Sequence, residues 1–324
     1  MTRVSNVLAG LLLGTVLVTS AYAADMKTMS LITMNDTPQL LEVKEGLIKG
    51  LADKGYVEGK NLKVDFKSAQ GNFGTAQQIV RQFIGEKPDI IVTITTPTSQ
   101  AAVAATKDIP IIFTTVTDPL KSKLVTQLKH PGGNASGISD VVPTELQLNI
   151  VKEIVPNLKT LGLVYDPSLD NARSTVESIK AAAPKMGFKT IESPAMGINN
   201  VPGAGQALVG KVDAIFVPND TTVYGAFESL VKVAQDGKVP IFTAERRSVQ
   251  RGAVATVGFD FVDMGRKTAD MVVKVFKGTP PGEQDVQYMK DIPGSLALYV
   301  NKESAEKMDV KLSPGLLKRA AQVF

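Results

Sequence analysis

The sequence predicts an α/β protein of two doubly wound, parallel-sheet lobes that face each other across a cleft. Three observations carry that expectation. Short, almost continuous apolar runs recur, each the pattern of a strand buried on both faces, and helical periods separate them. The alternation restarts near residue 160 with an echo of the first half. The apolar runs end in hydroxyl-rich or acidic turns, and in open α/β sheets ligands bind beyond the carboxyl ends of the strands.

Residues 29–34 read as a first strand, ending at Asn35, Asp36, Thr37 and Pro38. Leu40, Val43, Leu47 and Leu51 then share one helical face. Gly55 and Gly59 punctuate the link to 62–66, an alternating and therefore edge-like strand. Ala76, Ile79, Val80 and Phe83 mark a second helix. The stretch 87–100 organises this half. Pro88 and Asp89 turn into the apolar run 90–94, and Thr95, Thr96, Pro97, Thr98 and Ser99 precede a helix of small residues. Thr96 suits an N-cap and Pro97 the first helical position. A buried strand would thus end at a helix start whose free N–H groups and hydroxyls favour an anion. A capped turn without a ligand is the alternative. Residues 109–113 are a fourth strand ending at 114–119, a helix runs through Val125 and Leu128, and 135–139 add a short strand.

The second half opens with 161–165, ending at Asp166 and Pro167, and a helix over about 169–186. The apolar run 212–217 ends at Pro218, Asn219, Asp220 and Thr221, a helix passes through Phe227, Leu230, Val231 and Ala234, and 239–242 is a further strand. Lys87-Pro88-Asp89 has its echo in Lys211-Val212-Asp213, and Ile109-Pro110-Ile111-Ile112-Phe113 in Val239-Pro240-Ile241-Phe242. A strand at 253–259 and an amphipathic helix over 263–276, stopped by Gly278-Thr279-Pro280-Pro281-Gly282, return the chain to the first lobe. Two short strands near 285–288 and 296–300 and two short helices close it. The expected division is 24–140 with 262–284 for lobe 1, and 141–261 with 285–324 for lobe 2.

Composition excludes several classes. Arg3, the apolar run 7–18 and Ala21-Tyr22-Ala23 form a secretory signal cut after Ala23. There is no cysteine, hence no disulfide and no lipid-anchored thiol, and the expected location is the periplasm. The net charge is +4 with both signs interspersed, so no basic block points to nucleic acid. With no cysteine and the single His130 in a Pro-Gly-Gly turn, no metal or cofactor is expected. A thiol or Ser-His hydrolase lacks its groups, since there is no GxSxG. A secreted hydrolase using cleft carboxylates, with Asp118, Asp220 and Glu245 facing one cleft, is the competing reading. A two-lobed repressor would need a DNA-binding helix pair where the signal lies.

The residues Gly55-Tyr56-Val57-Glu58-Gly59-Lys60-Asn61-Leu62, Lys87-Pro88-Asp89 with the turn at 95–101, Asp118-Pro119, Pro131-Gly132-Gly133-Asn134, Ser136-Gly137-Ile138-Ser139, Tyr165, Asn171, Pro240-Ile241-Phe242, Glu245 and Gly252-Ala253 occur in an order that spans the mature chain. In this order the chain resembles the type I periplasmic binding proteins of ABC transporters, and among them the tryptophan/tyrosine-type substrate-binding proteins. The resemblance implies two lobes joined by crossover strands, a monomer that holds a small molecule in the cleft, and delivery to an inner-membrane ABC permease. It implies binding without catalysis. Two departures bear on the substrate: Ala135-Ser136-Gly137 follows Asn134 where the family has x-Thr-Gly, and Ala172 follows Asn171 where it often has Ser.

An amino acid, the ligand the resemblance implies, needs two opposed poles. Thr95, Thr96, Thr98 and Ser99 are the candidates for its carboxylate. Asp220 is the first candidate for its ammonium and Glu245 the second, although Asp220 could simply cap the next helix. Asn35, Asp118, Asp140, Tyr165 and Asn171, at strand ends and crossovers, complete the expected set. Tyr165, Tyr224, Phe73 and Phe113 are available to cover a side chain.

Overall fold

The computed structural model describes residues 26–324, so the signal expected at 1–23 lies outside the described residues. Lobe 1 begins with β1 (Lys27–Thr33), α1 (Pro38–Asp53), β2 (Leu62–Ser68), α2 (Phe73–Glu86), β3 (Ile90–Ile94), α3 (Thr96–Ala105), β4 (Ile111–Val116) and β5 (Ala135–Ser139). The chain then crosses into lobe 2, with α4 (Thr144–Ile154), β6 (Thr160–Tyr165), α5 (Asp170–Ala182), β7 (Lys189–Pro194), α6 (Val201–Gln206), β8 (Ala214–Val217), α7 (Thr221–Gly225), α8 (Phe227–Asp236), β9 (Ile241–Thr243), α9 (Arg247–Gln250) and β10 (Ala255–Phe259). It returns to lobe 1 for α10 (Phe261–Phe276) and β11 (Gln287–Tyr288), and ends in lobe 2 with β12 (Leu296–Val300), α11 (Lys302–Lys307), α12 (Pro314–Arg319) and β13 (Gln322–Val323).

The first sheet runs β11-β5-β4-β3-β1-β2 and is parallel throughout. The second runs β13-β12-β10-β9-β8-β6-β7 and is parallel except where β12 lies against β10. The first five strands of each lobe share one winding, so the echo in the sequence is a repeated topology. In each lobe the strand order reverses between the first and third strands, and this switch point opens the crevice where such sheets bind ligands. Separate apolar cores lie under each sheet. Leu161, Phe216, Phe227 and Phe242 are buried in lobe 2, and Leu31, Val92, Leu47 and Met271 in lobe 1.

The returning helix α10 packs on α1 at backbone contact. A Cβ on Gly46 would stand 2.0 Å from the Val262 carbonyl oxygen, and one on Gly265 2.1 Å from that of Val43. Only glycine permits this approach. It sets the N-terminus of α1, with Gln39 and Leu40, beside that of α10, with Phe261.

Four expectations are corrected. No helix forms through Val125 and Leu128: Pro119 and the left-handed Lys123 (φ 56°) break the segment into turns, while Leu124 and Val125 are buried against Phe113 and Val286. The cap of α3 is Thr95, one residue before Thr96, and it lacks a side-chain capping bond. Strand β7 has no counterpart in the sequence reading because it is an exposed edge strand without an apolar run. The expected lobe boundary after 284 comes too early, since Gln287 and Tyr288 pair with β5 of the first sheet and Met289 is buried in its core.

Candidate functional site

Strand ends from both lobes enclose one cavity. Its lining comprises Gln39, Leu40, Thr95, Thr115, Thr117, Asp140 and Phe261 from lobe 1 and the crossover, and Asn171, Asn219, Asp220, Thr221, Tyr224 and Glu245 from lobe 2. Four of these segments are the switch-point turns: Gln39 follows β1, Thr95 follows β3, Asn171 follows β6 and Asp220 follows β8.

The lobe 1 wall is neutral and strained. Thr95 has φ 92° and Thr115 φ 57°, both buried and both β-branched, at the ends of β3 and β4. Such residues rarely take positive φ, and strain of this kind, worth about 1–3 kcal/mol each, gathers at functional sites. The starts of α1 and α3 come to the same wall, and neither N-cap has a side-chain bond to its helix. Their free N–H groups suit an anion.

The opposite wall is acidic. Asp220 caps α7: its carboxylate accepts from the N–H of Val223 at 2.9 Å and from that of Asp166 at 2.5 Å. Burial pushes its carboxyl up to about 7, against the lowering effect of those two bonds. Glu245 accepts from the N–H of Arg247 (2.6 Å), the N–H of Ser248 (2.7 Å) and the Ser248 hydroxyl, and burial raises it as well. Asp140, on the crossover after β5, accepts from Thr117 Oγ1 at 3.3 Å and from Asn219 Nδ2 at 3.2 Å, and burial raises it to about 6. Three buried carboxylates thus line one cavity whose lining contains no basic side chain. Among the described residues no cluster of His, Cys, Asp or Glu has the geometry to hold a metal ion. The arrangement suits an organic cation opposite an anion-binding wall, with Leu40, Phe261 and Tyr224 as apolar surface between.

Of the expected site residues, Thr95, Asp140, Asn171, Asp220 and Glu245 line the cavity, and the others do not. Thr98 Oγ1 donates to the Ile94 carbonyl (2.7 Å), and Ser99 Oγ to that of Thr95 (2.7 Å); both hydroxyls are consumed in shaping the turn. Thr96 is buried beside the site with a hydroxyl that has no partner. Tyr165 donates to Glu192 at 2.6 Å on the outer side of β6. Asn35 and Asp118 bridge the lobes instead: Asn35 Nδ2 donates to the Thr221 carbonyl at 3.2 Å, and Asp118 accepts from Ser174 Oγ at 3.2 Å. Phe113 is core and Phe73 is exposed.

Further bridges hold the lobes together. Gln100 Nε2 donates to Asp170 at 2.6 Å, and Glu42 on α1 pairs with Arg246 at 2.8 Å and with Arg247. The cavity measures about 30 Å³, room for roughly two water molecules. The conformation is therefore closed, and a ligand of amino-acid size enters only when the lobes part.

The sequence reading missed Gln39, Thr115, Thr117, Asn219 and Thr221 as lining residues. Thr115, Thr117, Asn219 and Thr221 lie within turns already marked as strand ends and Gln39 one residue past such a turn, so the strand-end rule applied evenly to every strand would have found them. Leu40 and Phe261 leave no local signal, because only the α1–α10 packing puts them there.

The family model described as ABC transporter substrate binding protein matches residues 29–324. A tyrosine-binding protein of Clostridioides difficile (strain R20291) is 36% identical over 293 residues, covering 90% of this chain and 84% of that protein. A solved ABC domain in complex with L-Trp from Streptococcus pneumonia is 32% identical, covers 92% of this chain and 99% of its own, and superposes with a TM-score of 0.87. A ligand-free, open structure of a substrate binding protein with adhesive properties from Clostridium difficile is 33% identical with coverage of 92% and 99%, yet its TM-score is 0.70. At 32% and 33% identity the chain superposes better on the L-Trp complex than on the open form, in keeping with its closed cleft.

Proposed function

Because the chain belongs to the family of ABC transporter substrate binding proteins, we propose that this member binds an L-amino acid with an aromatic side chain between its lobes and passes it unaltered to a membrane permease. The observation that carries the reading is the polarity of the cavity, with three buried carboxylates facing strained threonines and two helix starts. The ammonium pole lies among Asp220, Glu245 and Asp140. The carboxylate pole lies at the Thr95 and Thr115 turns and the starts of α1 and α3, and Leu40 and Phe261 cover the ring. The names of two relatives, one tyrosine-binding and one in complex with L-Trp, favour an aromatic side chain.

The proposed setting is the periplasm, reached through the signal at 1–23, with the protein acting as a monomer. Among the described residues no helix is long and apolar enough to cross a membrane. Binding without chemistry is part of the proposal: Asp220 and Glu245 are both engaged by backbone N–H groups that hold them as charge partners. Isothermal titration with L-tyrosine, L-tryptophan, L-leucine and D-tryptophan tests the reading, followed by mass spectrometry of the recovered ligand. The expected order places the aromatic L-amino acids first and returns them at unchanged mass. Saturable binding of a sugar with none of any amino acid refutes the ligand class, and turnover refutes the binding role.

A further inference from the structure

Three buried polar atoms of the cavity have no partner in the protein: Gln39 Oε1, Asn171 Oδ1 and the Tyr224 hydroxyl. Burying such a group unpaired costs about as much as losing a hydrogen bond, so each implies a partner supplied from elsewhere. The two amide oxygens can only accept. The amide nitrogen of Asn171 is fixed on the Asn219 carbonyl at 2.5 Å, which leaves its oxygen turned away from that bond.

Tyr224 is the most constrained of the three. It is 4% exposed. Its ring meets Phe227 edge-on, with centroids 6.1 Å apart and planes at 75°. Its backbone carbonyl accepts from Arg251 Nη2 at 2.7 Å, and the Arg251 guanidinium lies over the Phe227 ring. The ring therefore has one position, and the hydroxyl cannot swing out to water. Around it stand Glu245, Asp220 and Asp140, whose charges add to burial in keeping the phenol protonated; the Ala244 N–H also approaches the phenol oxygen, but it is spent on the Val217 carbonyl at 3.0 Å.

We infer that Tyr224 is a specificity-determining residue whose hydroxyl oxygen accepts an N–H from a primary ammonium group of the ligand. The inference rests on the amino-acid reading above and goes beyond it by assigning Tyr224 to the charged head rather than to the side chain. An ammonium carries three N–H donors in a compact cluster. Asp220 and Glu245 already spend lone pairs on backbone N–H groups, so a neutral acceptor completes the set without adding another buried charge. The phenol fills that role because it stays uncharged and its oxygen has no partner within the protein. A carboxylate placed there would instead meet three of its own sign. Gln39 and Asn171 add acceptors from the two lobes, so the cavity as a whole asks for a donor-rich head.

The test is Tyr224→Phe, which removes one oxygen and keeps the ring. L-tryptophan and L-tryptophan amide are the probes, since the amide keeps the ammonium and loses the carboxylate charge. Titration should show both ligands weakened by about tenfold, and by the same factor, the size of one hydrogen bond to a charged group. The thermal midpoint of the unliganded variant should equal or exceed that of the wild type, because an unpaired buried hydroxyl has gone. Affinity within twofold of wild type for both probes overturns the inference and makes Tyr224 a packing residue. A loss with L-tryptophan alone assigns the hydroxyl to the carboxylate and also overturns it. Failure of the wild type to bind any amino acid is a separate result, which removes the functional reading on which the inference stands.

Discussion

Asp220→Asn tests the ammonium pole and has a worked magnitude for both binding and stability. In binding, the substitution removes one member of a buried charge pair, for which losses run to about 2–5 kcal/mol, roughly thirtyfold or more in dissociation constant. In stability, two effects oppose. Both carboxylate oxygens accept backbone N–H groups, from Asp166 and from Val223, and an amide can serve only one of them. That mismatch costs about 1–3 kcal/mol. Against it, the aspartate itself is destabilising when ionised. Burial raises its carboxyl from 3.8 to about 7, equivalent to about 4 kcal/mol once the folded group is charged.

The folded pKa lies above the unfolded one, so the wild type binds more protons when folded and loses stability as pH rises from about 4 to 7. The asparagine variant does not. Between about pH 5 and pH 8 the stability difference should therefore move in the variant's favour by about 2–3 kcal/mol. Urea unfolding at the two pH values reads this term, and titration with L-tyrosine and L-tryptophan at pH 8 reads the binding term. If the variant binds as tightly as wild type, Asp220 is only the cap of α7 and the ammonium lies nearer Glu245. A stability difference that does not change with pH would refute the electrostatic argument itself.

Three further outcomes follow from the same geometry. Asp140 and Asp220, raised to about 6 and about 7, should make binding tighten and release protons as pH rises across about 5 to 8, because the ammonium needs their charged forms; calorimetry in buffers of different ionisation enthalpy reads the protons, and a flat affinity over that range contradicts it. Glu42→Gln, which removes the negative charge that Arg246 and Arg247 share across the lobes without touching the cavity and leaves Arg246 only Asp260 at 3.3 Å as a charged partner, should weaken binding by about tenfold through the closed state alone; small-angle scattering at saturating ligand should still show the compact form, and unchanged affinity would mean that the charge of the bridge carries no closure energy. Thr95→Gly relieves a φ of 92° and so should leave stability within about 1 kcal/mol, the relief offsetting glycine's entropy, while ligand affinity falls with the lost hydroxyl and turn; a stability loss of several kcal/mol by urea unfolding would show that Thr95 is not strained.

How far the molecule could be read from its sequence differs by level. The buried parallel strands were legible because a strand covered on both faces has to be apolar along its length, as 90–94 and 214–217 are. The edge strand β7 was not, because one face and one edge meet water and Lys189, Thr190 and Glu192 satisfy that environment as well as a loop would. At the cavity, Asp220 and Glu245 were legible as lining residues because a carboxylate just past an apolar strand is rare and conspicuous. Thr98 and Ser99 stay out of the cavity lining for a physical reason. A hydroxyl at a helix start can bond a ligand or the preceding carbonyls, and both took the carbonyls of Ile94 and Thr95. Nothing in the local sequence distinguishes those outcomes.

The division of charge between the walls explains why closure and recognition are one event in the proposed mode. Lobe 1 offers hydroxyls and helix N–H groups, whose partial charges favour an anion; lobe 2 offers Asp220 and Glu245, with Asp140 on the crossover between them. A ligand bearing only an ammonium would satisfy the acidic wall and give lobe 1 no reason to approach. One bearing only a carboxylate would be drawn to lobe 1 and repelled as the lobes met. A zwitterion alone gains from both walls, and it gains only when the gap has closed. The bridges from Asn35 to Thr221, from Asp118 to Ser174 and from Glu42 to Arg246 form in that same state. They add their energy to any ligand that brings the lobes together, while the cavity decides which ligand can. Selectivity then resides in the buried carboxylates and Tyr224, and affinity is shared with contacts that never touch the ligand, which is why substitutions at Glu42 and at Asp220 should differ in their effect on analogues lacking one charge.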